Sequence, residues 1–446
     1  MSTDFLEKAV GTVPSKRQLD WMDVEYSGII HFGMNTFTGR DEGTGFEEPD
    51  LFNPTAFSAE QWVKVAKRSG MKGLILNCKH YDGFCLWPTE YTDHSVKSSK
   101  WLDGEGDVVK AVSEACRKYD IKFGVALSPL DYHEPSFGTG EAYNKFFMNL
   151  LRELLTNYGD VFHVWFDGAC GEGPSGKKQV YDFESYFELV RKYQPNATVF
   201  KDEGPDIRWC GNESGSARAA EWAVVPWELC YFCEKQTEGK LFDGELKHIY
   251  NSDKDIGTLE NIMYSSGLVF CPSEIDMSIR PGWFYHPEEE PHSLERLFNT
   301  YLRSVGGNTT FNLNIPPMPN GKFDQRDIVR LKELGDKIRS SFAVDFCENA
   351  KVTRTSLGGY QCEYLVELDE EKDINFFELE EDITQGQRVE SFRILRRKDG
   401  LWDKVYSNYT TIGNKRIIEE DVQCDAFKIV VEASRGEPII SKIAAY

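Results

Sequence analysis

An aspartate directly follows a short apolar segment near the middle of the chain, where residues 162–168 read Phe-His-Val-Trp-Phe-Asp-Gly. A run this rich in β-branched and aromatic residues predicts a buried strand, with Asp167 at its carboxyl end. The glycine-rich residues 171–176 predict a loop beyond it. Strand ends carry the chemistry in parallel α/β folds, so Asp167 is a candidate catalytic carboxylate. An aspartate that only stabilises a turn is the alternative, and this segment alone favours neither.

Four more polar residues follow predicted strands in the same way. His31 ends the first strand, His80 ends the second, and Asp131 and His133 follow the third. In a parallel barrel the carboxyl ends of the strands meet at one face, so these side chains and Asp167 would line one pocket. A lone histidine at a strand end usually only satisfies hydrogen bonds, but five polar residues at the same relative position indicate a site.

A pair of carboxylates is what hydrolysis of a glycosidic bond requires. Glu213 is a candidate for the second member, because Gly211 and Gly215 would let a loop present it to a cleft. Glu221 and the pair Asp202-Glu203 are competing candidates, and spacing does not choose among them.

The segments that must position these groups alternate between strands and helices. Helical spacing of apolar residues, and a capping box at Ser58–Gln61, mark the helices. The predicted strands lie at 27–33, 73–80, 121–127, 162–167, 197–201, 266–271 and 309–315, and the helices at 58–70, 108–119, 147–158, 183–193 and 294–302. This order predicts a (β/α)8-like barrel over residues 1–341. A doubly wound open sheet is the alternative, but no GxGxxG follows the first strand.

The last hundred residues show short alternating runs separated by turn residues. Examples are residues 364–368, 389–395 and 427–431. This pattern predicts an antiparallel β-sandwich over residues 342–446. Two domains also suit a chain of 446 residues, because one hydrophobic core stops growing near ~250–300 residues. By its position, the second domain is expected to brace the barrel.

Composition restricts the partners and the compartment. The formal net charge of −22 opposes binding to nucleic acids and anionic membranes, which need basic surfaces. The 11 cysteines are scattered and odd in number, and the amino terminus lacks the apolar segment of a secretory signal, so a cytoplasmic location is expected. Cys230 and Cys233 form a lone CxxC pair, and therefore neither a metal site nor a cofactor is predicted. The oligomeric state is not predicted.

Six sequence blocks, spread in order over the predicted barrel, carry a family resemblance. They are HFGMNTF (31–37), CKHYDGFCLWPTEYTDHSVK (78–97), VWFDGACGEGP (164–174), RWCGNESG (208–215), SIRPGWFYH (278–286) and VGGNTTFNLNIPP (305–317). In these blocks the chain resembles the α-L-fucosidases of glycoside hydrolase family 29. The resemblance implies a barrel followed by a β-sandwich, which agrees with the pattern of elements.

The resemblance also implies roles for individual residues. The aspartate of the WFDG block, Asp167, would be the nucleophile of a retaining mechanism. In the subgroup that cleaves α-1,3/1,4-linked fucose, the glutamate of the GNE block, Glu213, would be the general acid and base. Residues expected around the sugar are His31, His80, Tyr81, Trp165, Trp283, Asp41, Glu42 and His133.

Several positions depart from the usual pattern of the family. Tyr81 stands where relatives have a second histidine, and Asp41-Glu42-Gly43 replaces Glu-Trp-Gly. Ala126 and Leu130 replace two aromatic residues. The two candidate carboxylates match the pattern of the family, whereas residues around the expected sugar site differ from it. The resemblance therefore predicts the reaction type better than the substrate.

The function expected from these observations is a retaining exo-α-L-fucosidase that acts on fucosylated oligosaccharides or glycoconjugates, with α-1,3/1,4-branched fucose as the expected linkage. A glycosidase of the same fold with another deoxy-sugar or a decorated glycan as substrate is one alternative. A catalytically weak glycan-binding protein is another, and intact Asp167 and Glu213 argue against it.

Overall fold

The computed structural model describes residues 3–446 apart from 174, 203, 228–255, 264, 266 and 409. Within residues 3–341, its described part contains ten strands. They are β1 (Tyr26–Ile30), β2 (Gly73–Lys79), β3 (Lys122–Leu127), β4 (His163–Phe166), β5 (Thr198–Phe200), β6 (Arg208–Trp209), β7 (Val224–Pro226), β8 (Leu268–Phe270), β9 (Ser273–Ser278) and β10 (Thr310–Asn314). The described helices are α1 (Thr3–Gly11), α2 (Lys16–Met22), α3 (Met34–Thr38), α4 (Ala59–Ser69), α5 (Val108–Tyr119), α6 (Glu141–Asn157), α7 (Phe183–Tyr193), α8 (Leu259–Ile262), α9 (Leu294–Ser304) and α10 (Gln325–Ser341).

Eight of these strands form one parallel sheet in the order β5-β4-β3-β2-β1-β10-β9-β6. A parallel bridge between Phe200, at the end of β5, and Ile207, just before β6, joins the two edges. The sheet is therefore a nearly closed barrel, which confirms the predicted (β/α)8-like fold and makes the open-sheet alternative wrong. The strand predicted at 266–271 is not a barrel strand, since β8 pairs only with β7 in a separate antiparallel pair.

The barrel interior is divided into an apolar side and a polar side. Ile29, Ile75, Ala126, Trp165 and Phe200 pack together in one buried cluster. On the opposite side, β9 and β10 carry the buried polar residues Glu274, Asp276, Ser278, Asn312 and Asn314. Strand β9 was missed in the sequence because its inward positions are polar, whereas strand prediction relies on apolar residues.

Local sequence explains where the helices begin and end. The Ser58 side chain accepts a hydrogen bond from the Gln61 backbone and caps α4, which ends at Gly70 in the left-handed conformation (φ 97°). The other half of the predicted capping box is not formed. The Gln61 side chain instead bonds the backbone of Phe323, which links α4 to the segment before α10.

The C-terminal part is an antiparallel domain, as predicted. Its strands are β11 (Lys351–Gly358), β12 (Gln361–Glu381), β13 (Val389–Lys398), β14 (Leu401–Asn408), β15 (Arg416–Ser434) and β16 (Ile440–Ala445). They form one six-stranded sheet in the order β11-β12-β15-β13-β14, and β16 pairs with β12. Register shifts interrupt the long β12–β15 pair near Glu367–Lys372, and residues from both halves share one apolar core. The predicted domain boundary falls at the end of α10.

Buried polar contacts join the two domains. Lys415 pairs with Glu25 at the start of β1, and Gly307 forms an antiparallel bridge with Arg416. Arg435 lies 3.4 Å above the Trp222 ring and donates to the Gly257 carbonyl at 2.7 Å and to Glu390 at 3.1 Å. Contacts of this kind agree with a bracing role for the second domain.

Two further observations concern the described residues alone. None of their helices is both long and apolar enough to cross a bilayer. Nine cysteines among them are free thiols, and all but Cys170 are buried. The CxxC pair at 230–233 lies outside the described residues. The cytoplasmic location stays a prediction.

Arg435 provides a test of the domain contact. Arg435→Met should destabilise the protein by about 3–5 kcal/mol, because it removes the contacts with Trp222 and Gly257 of the first domain and leaves the largely buried Glu390 carboxylate without its ion-pair partner. Arg393→Met is the matched control, since Arg393 pairs with Glu432 at an exposed site and should change stability by about 1 kcal/mol or less. Calorimetric unfolding of both variants measures the difference. Equal transition temperatures would contradict a stabilising contact at Arg435.

Candidate active site

Asp167 lies directly after β4, with its carboxylate almost fully enclosed. Its Oδ1 accepts hydrogen bonds from the Tyr81 hydroxyl at 2.8 Å and from the Ala169 backbone at 3.0 Å. Its Oδ2 is 3.9 Å from Nε2 of His80. Burial raises the pKa of Asp167 to about 6, and the two hydrogen bonds partly oppose that rise. The carboxylate is therefore mostly ionised at neutral pH.

His31 and His80 lie side by side next to this carboxylate. Their rings are 5.7 Å apart in an edge-to-face arrangement, and the Phe284 ring is 5.5 Å from His31 and 5.1 Å from His80. Burial lowers the pKa of His31 to about 4 and lowers that of His80 well below its ordinary value. Both imidazoles are therefore neutral at pH 7 and offer one donor and one acceptor nitrogen each.

Two tryptophans lie near one another in this part of the barrel, since Trp283 packs against the buried cluster that contains Trp165. The Trp165 ring stacks on Phe200 at 4.9 Å, and its Nε1 donates to the buried Glu274 at 3.1 Å. The Trp283 ring is 5.1 Å from that of His31, and its Nε1 donates to Glu213 at 3.1 Å. Trp283 thus connects a histidine of the pocket with the second candidate carboxylate.

Glu213 is exposed on the loop that follows β6, and glycines shape this loop as predicted. Gly211 and Gly215 both have positive φ, 99° and 77°. A Cβ on Gly215 would lie 2.8 Å from the Met277 sulfur, so only glycine fits there. The charge of Glu213 acts to raise the pKa of Asp167. Burial and the charges of Asp167 and Glu213 raise the pKa of Tyr81. A chain of contacts also links the two carboxylates, because Trp283 bonds Glu213 and lies against His31, whose neighbour His80 is 3.9 Å from Asp167.

The loop that carries Trp283 is held by a buried arginine. Arg280 donates through Nε to both oxygens of Asp327 at 3.0 Å and through Nη1 to the backbone carbonyls of His286 and Glu289. One guanidinium group therefore fixes both sides of the loop against the amino-terminal end of α10. The planar array of N–H donors in a guanidinium group allows one side chain to bond a carboxylate and two carbonyls together.

The competing carboxylates have different surroundings. Glu221 is buried and paired with Arg208 at 2.8 Å and Arg218 at 3.1 Å. Burial alone would raise its pKa, but the two guanidinium groups hold it below its ordinary value, which does not suit a general acid. Asp202 lies against Gly168, where an added Cβ would be 2.1 Å from its carboxylate oxygen. Glu203 lies outside the described residues.

Three other residues expected around the sugar, Asp41, Glu42 and His133, contact the surrounding loops. Asp41 and Glu42 are exposed; Asp41 is 3.5 Å from Nε2 of His286, and Glu42 accepts a 3.4 Å hydrogen bond from Tyr132. The ring contacts of His133 are with a loop and with another histidine, not with Asp167. Its Nδ1 is 2.6 Å from the Gly45 carbonyl and its ring stacks on His94 at 4.0 Å. His133 thus braces the loop that carries Asp41 and Glu42, and its direct contact with a substrate stays a prediction.

Asp131, the other carboxylate at a strand end, makes structural contacts through both of its oxygens. It pairs with Lys79 at 3.0 Å, and both side chains are buried. Its second oxygen accepts from the backbone of His133 at 2.9 Å and of Glu134 at 2.8 Å. A carboxylate with this many donors stabilises the loop after β3 rather than reacting.

Several residues of the site carried no clear signal in the sequence. Asn314 bonds His31, and the buried carboxyl groups of Glu274 and Asp276 accept from the Trp165 and Trp209 indoles. Burial raises the pKa of Glu274 to about 8, so this group is largely a neutral acid at pH 7. The alternation of polar and apolar residues along 274–278 is the pattern that could have indicated Glu274 and Asp276.

No metal-binding cluster of three or more His, Cys, Asp or Glu side chains occurs among the residues that the structure describes. An ionised carboxylate beside neutral hydrogen-bonding groups, with a second carboxylate across the opening, is suited to attack on an acetal carbon assisted by a proton donor.

Comparison with known proteins supports the same chemistry. The sequence model of the Alpha-L-fucosidase family matches residues 9–340. Alpha-L-fucosidase 1 of Arabidopsis thaliana is 38% identical over 465 residues, covering 97% of this chain and 87% of the plant protein.

Solved structures extend the likeness to both domains. A Bacteroides ovatus ATCC 8483 protein assigned as an alpha-L-fucosidase is 42% identical with a TM-score of 0.92, over 100% of this chain and 75% of that chain. A Ruminococcus gnavus GH29 fucosidase in complex with fucose is 29% identical with a TM-score of 0.83, over 98% of this chain and 95% of that chain.

The Tyr81–Asp167 hydrogen bond predicts a change in pH dependence. Tyr81→Phe removes a donor to the ionised carboxylate, so the pKa of Asp167 should rise above its value of about 6. The acidic limb of kcat/KM for an aryl fucoside should then move upward by about one pH unit. Tyr132→Phe is the control, since its hydroxyl bonds Glu42 instead, and it should leave the midpoint in place. An unmoved limb in Tyr81→Phe would show that this bond does not tune Asp167.

Proposed function

The chain belongs to the α-L-fucosidase family, glycoside hydrolase family 29, and from this premise we propose that it releases terminal α-linked L-fucose by a retaining double displacement. Asp167 is the nucleophile and Glu213 is the general acid and base in this proposal. The proposal is supported by the run of contacts from Asp167 through His80, His31 and Trp283 to Glu213.

In the first step an Asp167 oxygen forms a bond to the anomeric carbon while the bond to the leaving oxygen breaks. The proton of the Glu213 carboxyl group goes to that leaving oxygen. In the second step Glu213 takes a proton from water, the water oxygen bonds the anomeric carbon, and the bond to Asp167 breaks. Retention requires the two carboxyl groups to be about 5–5.5 Å apart in the working complex.

Two features of the pocket support Asp167 as the nucleophile. Its pKa of about 6 keeps it ionised at neutral pH while limiting its stabilisation before attack. The Tyr81 and Ala169 donors both bond Oδ1, which leaves Oδ2 as the attacking oxygen. Oδ1 thus holds the carboxylate in place while Oδ2 can react, as a positioned carboxylate nucleophile requires.

The pocket walls suit a 6-deoxy sugar. Trp165 and Trp283 offer aromatic faces to the apolar side and methyl group of the ring, and His31 and His80 offer nitrogens to its hydroxyls. The Ruminococcus gnavus relative was solved in complex with fucose. The substrate class we propose is therefore fucosylated oligosaccharides and glycoconjugates.

The linkage part of the proposal is α-1,3/1,4-linked fucose on a branched sugar. It is supported by the GNE block that holds Glu213 and by the exposed Asp41 and Glu42 at the rim. Those two carboxylates can accept hydrogen bonds from hydroxyls of the sugars next to fucose.

Chemical rescue tests both carboxylates. Asp167→Asn should lose several orders of magnitude in turnover, and azide that enters from the vacated side should give a β-fucosyl azide. Glu213→Gln should spare a dinitrophenyl fucoside far more than an oligosaccharide, since a good leaving group needs little protonation. Azide should attack its covalent intermediate and give an α-fucosyl azide.

Glu221→Gln is the matched control for the Glu213 variant, because it changes the same functional group at a structural ion pair. It should show neither the dependence on leaving group nor an azide product. An α-azide from the Glu221 variant and none from the Glu213 variant would reverse the assignment. Asp167→Asn with a tenth of normal turnover would exclude Asp167 as nucleophile.

Linkage is tested with a panel of natural glycans. We expect kcat/KM for branched trisaccharides with α-1,3- or α-1,4-linked fucose to exceed that for α-1,2- and α-1,6-linked fucosides by about tenfold or more, the scale of one or two specific contacts. Aryl glycosides of other deoxy-sugars belong in the same panel. Preference for one of those sugars, or for α-1,2 linkage, would replace this part of the proposal.

A further inference from the structure

We propose that Asn314 and Asn35 are positioning residues that hold His31 and His80 as opposite neutral tautomers. His31 would then accept a hydrogen bond from one hydroxyl of the sugar, and His80 would donate one to another. The inference deepens the proposed function, since the hydroxyls are those of the fucose ring, but the tautomers are properties of the free protein.

The tautomer of His31 follows from the orientation of one amide. Asn314 Oδ1 is 3.2 Å from the His31 backbone nitrogen, which can only donate, and Nδ2 is 2.8 Å from the Trp283 carbonyl oxygen, which can only accept. These two contacts fix which amide atom is oxygen. The same Oδ1 is 2.9 Å from His31 Nδ1, so Nδ1 must carry the hydrogen and Nε2 keeps its lone pair.

The tautomer of His80 follows from a second amide with the opposite result. Asn35 Nδ2 is 2.5 Å from the Asp41 carbonyl oxygen, so this atom is the nitrogen. Its second hydrogen faces His80 Nδ1 at 3.4 Å, which makes Nδ1 the acceptor. The hydrogen of His80 is then on Nε2, the atom that lies 3.9 Å from Asp167 Oδ2.

That distance is too long for a direct hydrogen bond. The Nε2–H of His80 can instead bond a sugar hydroxyl, and that hydroxyl can donate its own hydrogen to another acceptor. Edge-to-face packing against His80 and Phe284 fixes the ring plane of His31. The burial that keeps both imidazoles uncharged makes one donor and one acceptor the full capacity of each ring.

The consequence is a rule for the substrate. The hydroxyl that meets His31 must donate, and the hydroxyl that meets His80 must accept. Fluorine accepts weakly and never donates, whereas hydrogen does neither. Replacing a hydroxyl by fluorine should therefore be tolerated better than replacing it by hydrogen only at the position facing His80.

Nitrogen-15 NMR of the histidine rings tests the tautomers in the free full-length chain. The 8 histidines can be assigned through His31→Asn and His80→Asn. At pH 8 we expect His31 protonated at Nδ1 and His80 at Nε2. Asn314→Ala should lose the Nδ1–H signature of His31, and Asn314→Asp, which keeps the acceptor, should retain it.

Asn312→Ala is the matched control, because Asn312 is equally buried on β10 but bonds Ser27 and Glu274. It should leave the His31 tautomer unchanged. Asn35→Ala should shift only His80 away from Nε2–H. Finding His31 protonated at Nε2, or both rings in the same tautomer, in the unaltered protein would overturn the proposal even if every asparagine variant failed to fold.

Competitive inhibition by L-fucose and its deoxy and deoxyfluoro analogues tests the rule for the substrate. At one ring position the fluoro analogue should bind more tightly than the deoxy analogue, and at another the two should bind equally weakly, about 3- to 10-fold below fucose. Asn314→Asp should keep this pattern. Equal behaviour at all positions would overturn the rule. If fucose itself does not bind while the tautomers are as expected, the proposed function fails and the tautomer assignment stands.

Discussion

The need to keep one carboxylate ionised inside an enclosed pocket shapes the whole site. Burial raises the pKa of Asp167, and the main opposing groups are a backbone N–H and a hydroxyl, with a smaller contribution from the charge of Lys79. Lys79 is itself paired with Asp131, and the neighbouring histidines are neutral. Asp167 therefore keeps a charge that is only moderately stabilised, which is the state a nucleophile requires.

The polar side of the barrel interior makes this arrangement rigid. Asn312 and Trp165 both donate to Glu274, and Asn314 connects β1, β9 and the loop that carries Trp283. Each bond is made in a low-dielectric interior, where a satisfied network is strong and a broken one is costly. The polar residues that stand in place of an apolar core on this side of the barrel thus set the positions of the His31, Trp165 and Trp283 rings.

Much of this architecture was predictable from the sequence, and the exceptions have physical reasons. Strands β1 to β5 follow apolar patterns, whereas β9 alternates polar side chains inward and was missed. Spacing left Glu213 and Glu221 undecided because they differ in the ion pairs that the folded chain makes: Glu221 pairs with Arg208 and Arg218. The family resemblance selected Glu213, and the role of Asn314 depends on contacts across strands that no local pattern encodes.

Glu221 also explains how the C-terminal domain acts on the site. It pairs with Arg208 at the start of the Glu213 loop and with Arg218 near its end, and Arg218 also donates to the Cys210 carbonyl at 2.9 Å. The backbone around Glu221 is in turn bonded by Thr410 and Gln387 of the second domain. The loop that carries Glu213 is thus held at its base by an ion-pair network, and the second domain bonds the backbone on both sides of that network.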